Sequence, residues 1–121
     1  MDWSPITEEE IWDRIIAAES RMTFAQMRLW EVIKIMPHKW LQEPWGNMGK
    51  GFWVVAIVGS SVLWFNDIED GFNISTYKSF GRIEEYLCNQ DELEHSVQQI
   101  LNLIESSMTP YKRGVPQPLT Y

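Results

Sequence analysis

Polar and apolar positions along this chain sort into three regimes. After Thr7, the residues Ile11, Ile15, Ala18 and Met22 recur at spacings of four, three and four, with Trp12 and Ile16 widening the stripe. That spacing is the apolar face of an amphipathic helix. Thr7 with Glu10 three residues later supplies a capping box at its start, and Ser4-Pro5 is a second start signal. In the middle of the chain, Phe52-Trp53-Val54-Val55-Ala56-Ile57-Val58 is apolar without interruption. A strand buried on both faces needs that pattern, because neither side meets water. Near the C-terminal end, Leu93, Val97, Ile100, Leu101, Ile104 and Met108 form a second helical stripe. Asp91 can cap this helix and Glu94 can close the box.

The segments between are less periodic. Thr23 to Arg28 reads either as a short helix capped by Thr23 or as a connector. Leu29-Trp30-Glu31-Val32-Ile33-Lys34-Ile35 is β-branched and roughly alternating, which predicts a strand. The spacing of Met27, Trp30 and Ile33 is the competing helical signal, and Pro37 ends the element in either reading. His38 to Gly51 is irregular, rich in Gly and Pro, and holds Trp40 and Trp45. Gly59-Ser60 suits a tight connection to Val62-Leu63-Trp64-Phe65. Asp70-Gly71 is a second turn signal. It leads into a strand that places Phe72, Ile74 and Thr76 on one side and Asn73, Ser75 and Tyr77 on the other. Arg82 to Leu87 reads as a further short strand or turn. From Pro110 onward, three Pro and one Gly predict an extended tail. The resulting fold class is α+β, an antiparallel sheet of about four to five strands with an N-terminal and a C-terminal helix packed on one face. Residues 1–109 form one domain and 110–121 the tail.

Composition narrows the class. A chain of 121 residues is long enough for one core and too short for two. Seven Trp, five Phe and four Tyr are more than a small core hides easily, so one or two Trp are expected at a rim or interface. No apolar run approaches the roughly 20 residues that span a bilayer. The first ten residues are acidic where a secretory signal needs a basic start, so a cytoplasmic protein is expected. The lone Cys88 has no internal disulfide partner, which fits that compartment.

Net charge is −7, and residues 66–92 carry seven acids against two bases, a local balance of −5. Nucleic-acid binding is disfavoured, since phosphate contacts need clustered Lys and Arg. A basic protein partner suits the field, although an acidic surface also serves solubility alone.

The densest chemistry is Asn66-Asp67-Ile68-Glu69-Asp70-Gly71-Phe72-Asn73, three carboxylates and two amides within eight residues. Such a cluster can hold a hard cation or two carboxyls of divergent acidity. Calcium-loop spacing fails: with Gly71 at the sixth position, Ile68 and Tyr77 fall where ligands belong. A charged hairpin turn is the structural alternative. Gly46-Asn47-Met48-Gly49-Lys50-Gly51 lacks the ending of a phosphate loop. Cys88 and His95 show no sign of activation, and Ser60-Ser61 lacks a nucleophile elbow. Two His and one Cys make zinc improbable. No catalytic residue, metal ligand or cofactor is therefore assigned. Trp64, Asn66, Asp67, Glu69, Asp70 and Asn73 are the expected binding residues. Trp64 is the candidate aromatic anchor, unless it and Phe65 are both core.

Leu29-Trp30-Glu31, Pro37-His38-Lys39-Trp40, Gly51-Phe52-Trp53-Val54-Val55-Ala56 and the motif from Trp64 through Asn73 resemble a set of small bacterial proteins of unassigned function. The likeness covers roughly residues 29 to 104. In size, acidity and architecture the chain is also similar to immunity proteins that neutralise bacterial toxins, a likeness of general character that transfers no site residue. These features imply a non-enzymatic binding protein that occludes a basic partner. The alternative is a small enzyme or a ligand- or divalent-cation-binding domain using the same carboxylates. Self-association through exposed Trp40 or Trp45 is a third expectation.

Overall fold

The computed structural model describes residues 4–42 and 51–113, with side chains through Ser106. Three helices and a four-stranded antiparallel sheet follow in the order α1 (Glu8–Arg21), α2 (Phe24–Ile33), β1 (Lys34–Trp40), β2 (Phe52–Val58), β3 (Ser61–Asn66), β4 (Gly71–Thr76) and α3 (Leu93–Arg113). The strands form a meander in the order β1-β2-β3-β4. The expected α+β class holds, with helices at both ends of the chain.

Two helix starts are built alike. Thr7 Oγ1 accepts from the Glu10 amide at 3.1 Å while Glu10 Oε1 accepts from the Thr7 amide at 2.9 Å. Thr23 and Gln26 repeat the box at 3.2 and 2.8 Å. The second box launches α2, which then runs through Ile33, so the strand expected over Leu29 to Ile35 is helix for most of its length. Gln26, Trp30 and Ile33 face the core at helical spacing, and their burial outweighs the β-propensity of Val32 and Ile33. Pro37 also departs from expectation, lying inside β1 rather than ending an element. It is tolerated because β1 is an edge strand whose register slips between Lys34 and His38, where no ladder bond is demanded of it.

The sheet is buried on both faces. One face carries Val55, Leu63, Phe65 and Phe72 against Ile11, Ile15, Trp30 and Leu93 of the helices. The other carries Phe52, Val54, Val62 and Trp64, packed with Trp40 and Ile83. Among the described residues no helix covers this second face. Residues 77–92, without a regular element of their own, lie across it, with Tyr77, Ile83, Tyr86 and Leu87 filling the layer. Trp40 is fully buried, which removes it from any self-association surface, and Trp45 lies outside the described residues.

At the start of α3, Glu94 does not close a box with Asp91. It accepts instead from Arg21 of α1, whose Nε lies 2.7 Å from Oε2 and whose Nη2 lies 3.1 Å from Oε1. From residue 102 to residue 106 the helix is exposed, and its backbone continues to Arg113, past the Pro110 at which the tail was expected to begin. No helix among the described residues is long and apolar enough to cross a membrane.

Candidate functional site

Residues 66–73 were expected to present their polar groups together at an accessible rim. The structure divides them. Asn66 is buried at the end of β3; its Nδ2 donates to the Leu87 carbonyl at 2.9 Å and its Oδ1 accepts from the Ile68 and Glu69 amides. Asn73, buried in β4, pairs with Asn89 through both ends of its amide. Trp64 is 0% exposed and its Nε1 donates to Ser75 Oγ at 2.9 Å, while that hydroxyl donates to the Glu85 carbonyl. Gly71 belongs to the same construction, because a Cβ there would stand 2.3 Å from the Asn89 carbonyl oxygen and the Gln90 Cα. Trp64, Asn66 and Asn73 therefore fasten the 85–90 segment over the second core and are unavailable to a partner. Glu69 stands apart too, its carbonyl held by Gln90 Nε2 at 3.0 Å.

The carboxylates Asp67 and Asp70 turn the other way, toward α1. With Ser4, Ile6, Glu10, Asp13, Arg14 and Phe65 they line a cleft of about 320 Å³. The N-terminal segment forms one wall, clamped by Ile6: its amide donates to Asp67 Oδ2 at 2.8 Å and its carbonyl accepts from Trp53 Nε1 at 3.0 Å. Arg14 closes the other side. Its Nη2 lies 2.8 Å from Asp70 Oδ1 and its guanidinium sits 4.8 Å over the Phe65 ring. Asp70 adopts a left-handed backbone with φ 61°, the turn geometry that aims its side chain at Arg14.

The environment separates the acids. Burial pushes the Asp67 carboxyl above the usual range, opposed by the Ile6 amide, its own backbone amide and the Lys39 charge. Hydrogen bonds from Thr7, its backbone amide foremost, hold Glu10 below that range. Glu10, Asp13, Asp67 and Asp70 thus share the lining of this cleft with the Arg14 guanidinium, and the Lys39 charge also reaches Asp67. Among the described residues no group of three His, Cys, Asp or Glu side chains could hold a metal ion. Cys88 is free and exposed.

Glu10, Asp13 and Arg14 were absent from the expected binding set. Their signal was in the sequence: they fall on the polar side of the α1 stripe, at its N-terminal end. What the sequence lacked was the turn of Asp67 and Asp70 toward them. No protein-family model, curated protein or solved structure matches this chain.

Proposed function

We propose that this chain is a non-enzymatic binding protein, of the immunity type in its general character, that docks on a basic partner and occludes it. Its contact surface is the cleft between the start of α1 and the β3–β4 turn. The observation that carries this reading is the charge arrangement there: the carboxylates of Glu10, Asp13, Asp67 and Asp70 outnumber the cations that act on them among the described residues, the Arg14 guanidinium and the Lys39 ammonium. A surplus of negative charge in a concave, partly apolar site favours a Lys or Arg side chain from the partner, and it speeds encounter with a basic surface. Asp67, half-buried, contributes most once a cation has neutralised its desolvation cost.

The test is affinity capture from extract of the source cells by the intact chain and by a folded Asp13→Asn, Asp67→Asn, Asp70→Asn variant. Recovery of a basic protein should fall by about tenfold or more in the variant, and added salt should weaken capture by the native chain. Equal recovery by both chains would remove the cleft from the contact surface.

One observation favours a second reading, an acid–base or small-ligand site. Asp67 and Glu10 line one cleft and their acidities are displaced in opposite directions, Asp67 upward by burial and Glu10 downward by its capping bonds with Thr7. A divalent-cation version has no ligand set among the described residues. Thermal shifts with magnesium, calcium, manganese and zinc separate the versions, because a bound metal raises the midpoint with occupancy.

A further inference from the structure

A second cleft shares no residue with the acidic one. It opens between α1 and α2 beside the start of β1, and has a volume of about 320 Å³. Ile15 and Trp30, both buried, make its floor, and Trp12 and Met36 stand beside them. Trp30 Nε1 donates to Glu19 Oε2 at 2.8 Å. That bond fixes the indole plane and occupies the one donor of the Trp30 ring, so the ring face suits an apolar group. The charged lining groups are Glu19 and Lys34, one of each sign. Lys34 Nζ lies 3.0 Å from Glu31 Oε1 in a solvent-exposed pair, which leaves the ammonium open to a competing carboxylate. The exposed edge of β1 is a poor template for an added peptide strand, since Pro37 and the slip in register interrupt its ladder.

We propose that this cleft binds a free α-amino acid with a large apolar side chain. The ligand's side chain lies on Trp30 and Ile15, its ammonium meets Glu19 and its carboxylate meets Lys34. Charge selects the class: Lys34 can exchange its exposed Glu31 partner for the ligand's carboxylate while Glu19 accepts from the ligand's ammonium, so the apolar slot matches a zwitterion better than an ion of either sign. The size agrees, because about 320 Å³ is at the small end of ligand sites and suits a ligand of amino-acid dimensions. This site stands independently of the acidic cleft, and neither proposal fails with the other.

Isothermal titration of the intact chain with L-phenylalanine tests it, alongside phenylpropanoate, which lacks the ammonium, and phenylethylammonium, which lacks the carboxylate. The expected result is saturable one-site binding of phenylalanine, weakened about tenfold or more when either charge is missing. Glu19→Gln keeps an acceptor for the Trp30 indole and so preserves the floor; it and Lys34→Met should each weaken phenylalanine binding by a similar factor. Absence of saturable heat with millimolar phenylalanine or leucine would overturn the proposal. So would equal affinity for phenylpropanoate, or unchanged binding in both folded variants.

Discussion

Asn73 holds Asn89 by both ends of its side-chain amide: Oδ1 accepts from the Asn89 amide at 2.9 Å, and Nδ2 donates to the Asn89 carbonyl at 3.3 Å. A side chain here does what a neighbouring strand would do, satisfying donor and acceptor of one residue on a segment without regular structure. Asn73→Ala removes both bonds, and the 3.3 Å bond from Nδ2 to the Gly71 carbonyl, from a buried position, and about 2–3 kcal/mol of stability should go with them. Denaturant unfolding measures the loss. Hydrogen exchange should place its local part at residues 85–91, with β2 and β3 still protected.

Gly71 tests the same contact from the backbone side. Its backbone needs no left-handed freedom; the requirement is space, since a methyl group would meet Asn89 and Gln90 main-chain atoms at 2.3 Å. Gly71→Ala should cost about 1–3 kcal/mol or more through forced displacement of residues 89–90. The Phe72 amide, which donates to the Asp91 carbonyl at 2.9 Å, should lose exchange protection as well.

Helix docking depends on Arg21 and Glu94. Burial alone would raise the Glu94 carboxyl, but the Arg21 bonds with Glu94's own backbone amide outweigh it and hold the group below its usual range. A folded-state value below the unfolded one stabilises above the unfolded value, and that contribution is lost as pH falls through the folded one. Arg21→Ala should lower the unfolding midpoint at neutral pH, by a modest amount because Arg21 is nearly half exposed. The gap between variant and native midpoints should close in acid, below the usual carboxylate range.

Asp67 has the opposite sign. Burial raises its folded value, so its favourable contribution exists at low pH and is lost as pH rises through that raised value. Asp67→Asn keeps an oxygen for the Ile6 amide and removes the charge, so it should raise the midpoint at about pH 7 relative to the native chain and lose that advantage at about pH 3. Melting curves of both chains across this range check it.

Much of the fold was legible in local signals. The Thr7–Glu10 box, the stripe of Ile11, Ile15 and Ala18, the tight turn at Gly59-Ser60 and the two sides of β4 are all short-range patterns, and all are present. Residues 29–35 misled because Val32 and Ile33 favour strands while the deciding box, Thr23 with Gln26, sits upstream. Pro37 misled because only the sheet order shows β1 to be an edge. The site was legible by residue type but not by partner. Asn66 and Asn73 look like exposed turn amides until Leu87 and Asn89 return across the sheet. Asp67 meets Ile6 across 61 positions, and no spacing in the sequence encodes that contact.

The central claim is that the polar motif after β3 has two separate duties, its amides fastening the 85–90 segment and its carboxylates Asp67 and Asp70 joining α1 in a cation-accepting cleft. Amide chemical shifts of the intact chain, followed by NMR during titration with a lysine- and arginine-rich peptide, test it most directly. The account predicts that saturable shifts concentrate at Ile6, Asp13, Arg14, Asp67 and Asp70 and fade with added salt, with residues 85–90 unmoved. Shifts centred on Leu87, Cys88 and Asn89, with the cleft silent, would contradict it.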